Sequence, residues 1–364
     1  MLFCRVLLSL IVSGGLAVLS TPVFAQAAGA KGENFLYRVI SGDTLGDLAE
    51  RFTYGWSNWS TLQTLNNVQE TTELPIGLLL KIPFSLIPEL PAVAVVSHLV
   101  GHADANGQTL QVKSQLAEGQ TVRTGKNGFV TLQLDDGSLL SVLASSSLSI
   151  KRLRVFKGTG LTDSIIEVKS GSLESEVAPQ KTGVGRFEVR TPVSVTGVRG
   201  TRLRVHMSTQ GARSEVVQGQ AGVEAKQASE VVLREKRGVA VSTSGESTGA
   251  RDLLSAPDLP VPVRAAAGWT MSFPPVSGAS AYLVRVASDP NGSDLVSSQQ
   301  FQAAQVQFSA PSAGTYYVFV RALDNVGLGG LDARQSFEGK NVLRAFGGIN
   351  VLSGSGQPVA VANY

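Results

Sequence analysis

The strongest constraint on the fold is the alternation of apolar and polar residues that runs through residues 98–244. Three apolar residues at alternate positions lead into Asp135-Asp136-Gly137, and a second alternating run follows. Side chains of a strand point alternately to opposite faces, so this period predicts strands with one buried face. Asp-Gly between such runs indicates a hairpin, so we assign both carboxylates to a turn rather than to catalysis. With much Gly, Val, Ser and Thr, the chain should be a mainly β, multidomain protein.

Changes in composition divide the chain. A small polar spacer covers residues 26–34, and prolines 83, 88 and 91 predict a stiff linker. A Gly/Ser/Thr run over 242–250 and three later prolines predict a second linker. The predicted segments are a signal peptide (1–25), a small mixed module (35–84), a β-domain (98–244), a second strand-rich unit (265–340) and a weakly ordered tail (341–364).

The N-terminus has the pattern of a secretory signal. Arg5 precedes a short apolar run over 6–19, and Val23-Phe24-Ala25 fits a cleavage site, which predicts a cut after Ala25. An uncleaved anchor is the alternative, although the run is shorter than the roughly 20 residues of a membrane span. Cys4 is the only cysteine, so disulfides and thiolate chemistry are not expected in the mature protein. We therefore expect a soluble periplasmic protein without stable membrane insertion.

The module over 35–84 predicts strand, helix, helix, strand. Asp43 or Thr44 is expected to cap the first helix, because either side chain can accept a backbone N–H. Apolar residues at helical spacing give each helix a buried face, and alternating residues predict a closing strand. These residues are Leu45, Leu48, Ala49 and Phe52; Trp59, Leu62, Leu65 and Val68; and Leu78, Leu80 and Ile82.

This module resembles a LysM domain. The resemblance rests on Gly42-Asp43-Thr44-Leu45, Leu65-Asn66 and Leu74-Pro75-x-Gly77, with Ile76 inserted where the family has Pro-Gly. It implies binding to N-acetylglucosamine-containing glycans, and in an exported protein to peptidoglycan strands. The implied site residues are Gly42, Asp43, Thr44, Leu45, Asn66, Leu74, Pro75, Ile76 and Gly77.

Several of these residues have a structural alternative. Asp43 and Thr44 suit a helix cap, Leu45 suits the core, and Asn66 suits a helix C-terminus. Trp59 should be a core residue. Tyr54 and Trp56 fall between the helices, where they are either ordinary loop aromatics or sugar-stacking rings.

The β-domain resembles a FecR domain through Arg190-Thr191-Pro192 and the string from Gly197 to Arg202. FecR regulators relay signals to a sigma factor from the periplasm, which implies a signalling alternative to the binding function. Arg199, Arg202 and Arg204 form either a solvated strand face or a basic strip. Residues 265–340 resemble a fibronectin type III-like sandwich, in which Trp269 and Tyr316 should be core residues.

Composition argues against several other functions. The net charge of +3 is weak for nucleic acid, and no interleaved aromatics accompany the arginines. His98 and His102 are four residues apart in a segment that reads as a strand, where about 13 Å would separate them, too far for one metal. The Gly-x-Ser-x-Gly pattern at 245–249 lies in the Gly/Ser/Thr run assigned to a linker, not in the strand-to-helix turn that a nucleophilic serine requires. We expect a non-enzymatic glycan-binding protein without a cofactor. An envelope protein is a further expected partner.

Overall fold

The computed structural model describes residues 27–177, 185–265, 268–312 and 314–339, with a few separate residues between 343 and 359. The signal peptide, its cleavage site and most of the tail over 341–364 lie outside these residues. The described chain is mainly β, with a βααβ unit followed by β-rich structure, as the sequence predicts.

The N-terminal unit is a three-stranded antiparallel sheet covered by two short helices, with strand order β1-β2-β3. Residues 27–31 form the first strand, so the predicted spacer over 26–34 is wrong: this segment pairs with the next strand. The elements are β1 (Ala27–Lys31), β2 (Asn34–Arg38), α1 (Leu45–Phe52), a 3-10 turn (Trp56–Asn58), α2 (Trp59–Asn66), β3 (Leu79–Pro83) and a second 3-10 turn (Phe84–Leu86).

The two helices differ in how well their apolar faces are buried. All four predicted residues of α1 are buried, which confirms that face. In α2 only Leu62 is fully buried, and Leu65 is largely exposed, so the predicted second face is wrong in part. The helix ends at Asn66, because Asn67 adopts a left-handed conformation (φ 52°), and Val68 lies beyond it.

The middle of the chain, from Glu89 to Asp252, forms one sheet, the β-block. Its first strand lies within the predicted linker, where Pro91 pairs with Arg154 and Glu89 with Phe156, so that linker prediction is wrong. Its strands are β4 (Glu89–Pro91), β5 (Ala94–Val100), β6 (Ala103–Ala105), β7 (Gln108–Thr109), β8 (Gln115–Leu116), β9 (Thr121–Thr124), β10 (Phe129–Leu134), β11 (Leu139–Val142), β12 (Ser147–Phe156), β13 (Thr162–Glu176), β14 (Arg186–Arg190), β15 (Ser194–Ser208), β16 (Gly211–Ala225), β17 (Ala228–Arg234), β18 (Arg237–Ser242) and β19 (Arg251–Asp252).

The predicted hairpin of the β-block is confirmed. β10 and β11 pair around Gly137 at φ 83°, and Asp136 accepts hydrogen bonds from Ser138 N (2.9 Å) and Thr162 Oγ1 (3.0 Å). Farther along, Gly200 has φ 56°, and the register between β15 and β16 shifts there. A β-branched residue would be strained at this φ.

The C-terminal unit is a sandwich of two antiparallel sheets around one core. The sheet orders are β20-β21-β24 and β23-β22-β25-β26. Trp269 and Tyr316 are buried in the shared core, as predicted. The strands are β20 (Val263–Ala265), β21 (Gly268–Ser272), β22 (Ala281–Ala287), β23 (Leu295–Phe301), β24 (Gln305–Phe308), β25 (Gly314–Leu323) and β26 (Ala333–Gly339).

The N-terminal unit packs directly on the turn between β12 and β13. Leu161 of that turn is buried in the core of the N-terminal unit, and the Phe156 ring lies 4.9 Å from that of Phe84 between centroids. Lys157 Nζ donates to the carbonyl oxygens of Glu50 (2.8 Å) and Thr53 (3.0 Å) at the C-terminal end of α1. A lysine there satisfies carbonyl groups that the helix leaves unpaired. We call this contact the N-terminal junction.

The sandwich joins the β-block through buried ion pairs, which we call the C-terminal junction. Arg204 bonds Glu215 (3.2 Å) within the β-block and Asp332 (2.6 Å) across the junction. Arg285 and Arg321 of the sandwich both bond Glu174 of the β-block, at 2.5 and 2.6 Å.

The two predictions for the arginines of β15 need correction at this junction. Arg204 is buried, so neither a solvated face nor an exposed basic strip describes it. Arg202 donates to the carbonyl oxygen of Asn291 in the sandwich (2.6 Å). The Arg199 side chain lies outside the described part.

Candidate functional site

Two β-turns face each other at one end of the N-terminal unit. In the first, Asp43 N donates to Ile40 O (3.3 Å) and Gly42 has φ 90°. In the second, Leu78 N donates to Pro75 O (3.0 Å) and Gly77 has φ 86°. Both follow the type II pattern, which requires a positive φ at the third residue and therefore favours glycine there.

Backbone hydrogen bonds hold the two turns side by side. Gly77 N donates to Val39 O (2.8 Å), and Val39 N donates to Leu78 O (2.9 Å). Leu45 N donates to Thr71 O (2.9 Å), which connects the start of α1 to the loop before the second turn. The loops at 42–45 and 74–77, which the LysM resemblance predicts as the two walls of a glycan-binding groove, are therefore held in place by the backbone.

Asp43 stabilises the first turn. Its Oδ2 atom accepts hydrogen bonds from the Tyr37 hydroxyl (2.9 Å) and from Ile40 N (2.8 Å). Burial, together with the hydrogen bond to the negative Asp43, raises the pKa of Tyr37, so the hydroxyl stays protonated and keeps donating. Asp43 thus sets the shape of this groove wall.

Thr44 and Leu45 both have the structural roles expected from the sequence. Thr44 is the N-cap of α1, since its Oγ1 atom accepts from Asp47 N (3.1 Å). Leu45 is fully buried and belongs to the core. Both residues hold the loop at 42–45 in position from its core side.

The second wall presents an apolar side chain to solvent. Ile76, the second residue of its turn, is 73% exposed, and Pro75 beside it is also exposed. Leu74 is buried and anchors the turn in the core. The inserted Ile76 is therefore the most accessible side chain of the predicted site.

Asn66 lies apart from the two turns. Its side-chain amide accepts from Lys81 N (2.7 Å) and donates to Lys81 O (2.9 Å) and Leu62 O (2.8 Å), so both amide protons are used by the backbone. It occupies the hydrogen-bonding edge of β3, as a neighbouring strand would. The helix cap expected at Asn66 is provided by Asn67 instead.

A serine–histidine pair escaped the sequence reasoning, because its members are 34 residues apart. Ser172 Oγ lies 2.7 Å from His206 Nδ1 beside a cavity of about 460 Å³ at the C-terminal junction. Burial, and then the nearby Arg213, lower the pKa of His206 to about 4. A base this weak is poorly matched to proton abstraction near neutral pH.

The remaining features give no metal or membrane signature in the described residues. No group of three or more His, Cys, Asp or Glu side chains could hold a metal ion in the described ranges. His98 Nε2 lies 3.0 Å from Leu295 O, in a contact with the sandwich. Over the same residues, none of the helices combines the length and apolar character needed to cross a bilayer.

Comparison with known families agrees with two of the three predicted resemblances. The family model of the LysM domain matches residues 37–83, and the model described as FecR protein matches residues 120–222. LysM and FecR similarity is thereby confirmed. The fibronectin type III-like resemblance stays a prediction. No curated protein matches the chain.

Among solved structures, two crystal structures of one candidate anti-sigma factor from Parabacteroides distasonis resemble part of the chain. Each shares 18% sequence identity and gives a TM-score of 0.30. The matched part covers 36% of this chain and 59% of the length of that one.

Proposed function

We propose that this chain is an exported, periplasmic envelope protein that binds the glycan strands of peptidoglycan through its LysM groove. The β-block and the sandwich serve a second, envelope partner, and the protein is not an enzyme. The observation that carries this proposal is the position of the two glycine turns, which lie at the end of the LysM unit away from the N-terminal junction.

The strand register supports this placement. β2 and β3 pair from Asn34↔Pro83 to Arg38↔Leu79, and both groove turns lie beyond the second pair. Phe84, which contacts the β-block, lies beyond the first pair. α1 runs between the same two ends of the unit: it begins beside the groove at Leu45 and ends at the N-terminal junction.

The groove matches the chemistry of an N-acetyl group. That group offers a carbonyl acceptor, an N–H donor and a methyl group. Two exposed turns provide backbone polar groups near their glycines, and Ile76 provides apolar surface for the methyl. Because backbone hydrogen bonds already fix both turns, binding should cost little ordering entropy.

The test is co-sedimentation of the protein with purified sacculi. We expect Ile76→Asp to abolish it while the protein stays folded, because Ile76 is exposed and occupies a turn position that accepts aspartate. Val261→Asp is the matched control, since Val261 is equally exposed (71%) but far along the chain. Unchanged sedimentation of Ile76→Asp would exclude this groove as the binding site.

The FecR match favours a second candidate, an envelope sensor that signals through a protein contact of the β-block. Transcript profiling separates the two functions. If the protein is a sensor, deletion of its gene should change the levels of a defined set of transcripts. Expression of the Ile76→Asp variant in the deletion strain should restore those levels if glycan plays no part in sensing. An anchoring protein leaves the transcripts unchanged.

A further inference from the structure

The loop between α1 and the following 3-10 turn holds two aromatic rings out in solvent. Tyr54 is 71% exposed and Trp56 is 59% exposed, in a chain that has three tryptophans. The other two, Trp59 and Trp269, are packed against or inside a core. Large exposed aromatic surface gains little from folding and is typical of binding sites.

This loop is rigid rather than loosely arranged. Thr53, fully buried, donates through Oγ1 to Ala49 O (2.6 Å) and accepts from Asn58 Nδ2 (2.9 Å) and Gly55 N (3.3 Å). Trp56 N donates to Glu50 Oε2 (2.8 Å). These hydrogen bonds fix the backbone that carries the two rings, as a pre-organised site requires.

A glycine determines where the indole lies. Gly46 belongs to the first turn of α1, and a Cβ atom built there would overlap the indole nitrogen of Trp56. Its absence lets the nitrogen edge of the indole approach the first turn of α1, next in sequence to Thr44 and Leu45. The Trp59 ring supports it from the side, with centroids 5.9 Å apart.

The two exposed rings are therefore arranged along α1. Tyr54 lies at the end near the N-terminal junction, where its N–H donates to Leu86 O (3.2 Å). Trp56 reaches the groove end. An α-helix of eight residues is about 12 Å long, so the two ends of α1 are separated by more than the width of a sugar ring.

We propose that Trp56, with Tyr54 behind it, forms a second saccharide subsite that continues the LysM groove along α1. The occupant is a further N-acetylglucosamine unit of the same glycan strand, stacked through its C–H face on the indole. The acidic neighbours Asp47 and Glu50 disfavour a sugar with an anionic substituent at this position. This inference rests on the proposed glycan-binding function and adds the requirement for a longer chain.

The experiment titrates oligosaccharides of β-1,4-linked N-acetylglucosamine, from the dimer to the hexamer, into the full mature chain. Trp56→Ala should weaken hexamer binding about tenfold, as truncation of an anchoring tryptophan does. Dimer affinity should stay within twofold, because the dimer fills the groove alone, and this also shows that the variant is folded. Trp56→Phe, which keeps a stacking face, should recover most of the lost affinity.

Fluorescence gives a readout that a purely structural role would not change. Hexamer should shift the emission of wild type to the blue as Trp56 leaves water, and Trp56→Phe should lose that shift. Equal hexamer affinity of Trp56→Ala and wild type, with Ile76→Asp inactive, overturns the subsite and leaves the proposed function intact. Absence of binding by wild type overturns both. If the protein itself forms a dimer that Trp56→Ala dissociates, and glycan affinity does not change, then the patch is a self-association surface and the subsite is overturned.

Discussion

The β-block contacts its two neighbours differently: apolar packing dominates one junction, whereas the other combines an apolar cluster with buried ion pairs. At the N-terminal junction, aromatic and aliphatic side chains meet, and one lysine completes a helix end. At the C-terminal junction, three arginines and three carboxylates are buried together. They are Arg204, Glu174 and Glu215 from the β-block, and Arg285, Arg321 and Asp332 from the sandwich.

The difference determines how each junction fails. Apolar contacts contribute roughly in proportion to buried area, so losing one group removes only its share. Buried charges are stable only in a complete set, because each ion left without a partner keeps its desolvation cost. The β-block contributes one positive and two negative groups and the sandwich the reverse, so neither unit alone has a balanced surface. A fragment covering 98–244 would therefore expose an incomplete set.

The largest effect should come from Arg285→Met. Arg285 is 1% exposed and bonds both Glu174 and Asp332 (2.9 Å), so its loss leaves two buried carboxylates short of a partner. We expect the free energy of unfolding to fall by about 3–5 kcal/mol, measured by urea denaturation.

Arg234→Met is the matched control, because Arg234 is exposed on β17, and it should change stability by less than about 0.5 kcal/mol. A loss below about 1 kcal/mol for Arg285→Met would mean that apolar packing around Phe129 and Phe319 holds this junction instead.

Acid should weaken the C-terminal junction next. Burial raises the pKa of Glu174, but the attraction of Arg285 and Arg321 outweighs it and lowers the pKa to about 2. A depressed carboxyl pKa stabilises the fold above the ordinary value near 4.5, and that stabilisation is lost as the pH falls towards 2. The loss attributable to Glu174 is about 3 kcal/mol. Trp269 emission during acid titration should report it, and Glu174→Gln should flatten this part of the profile.

His206 supplies a separate pH window. Its pKa of about 4 lies below the ordinary value of 6.5, so the unfolded chain takes up a proton there before the folded one does. Stability should therefore decline from about pH 6.5 to 4, before the carboxylates titrate. His206→Gln should remove this earlier decline and leave the later one.

The smallest effect should come from Lys157→Met at the N-terminal junction. Methionine keeps the apolar stem and removes the two hydrogen bonds to Glu50 O and Thr53 O, so we expect a loss of about 1 kcal/mol. Hydrogen exchange of the α1 amides should show faster opening, with the sandwich amides unchanged. If the α1 amides and the sandwich amides both exchanged faster, the two junctions would form one cooperative system.

Local patterns predicted several elements correctly. The buried face of α1 and the hairpin at Gly137 follow from residues a few positions apart, so sequence spacing suffices. The junctions depend on contacts across long stretches of chain: Arg204 and Asp332 are 128 residues apart. One signal was present, because Arg285 and Arg321 each interrupt a strand that is otherwise apolar. A charge at such a place indicates that the outer face of the strand is covered.

The turn that carries Lys157 and Leu161 also has a consequence for protein engineering. A LysM unit of about 50 residues has a small core, and domains of that size are marginal alone. Here Leu161 completes that core from outside the unit. A chimera that contains residues 35–84 without this turn would have a cavity in the core of the transplanted unit, where Leu161 packs in the native protein. The protein from which the unit was removed would in turn expose the Leu161 side chain to solvent. The shortest portable piece of this protein is therefore discontinuous in sequence.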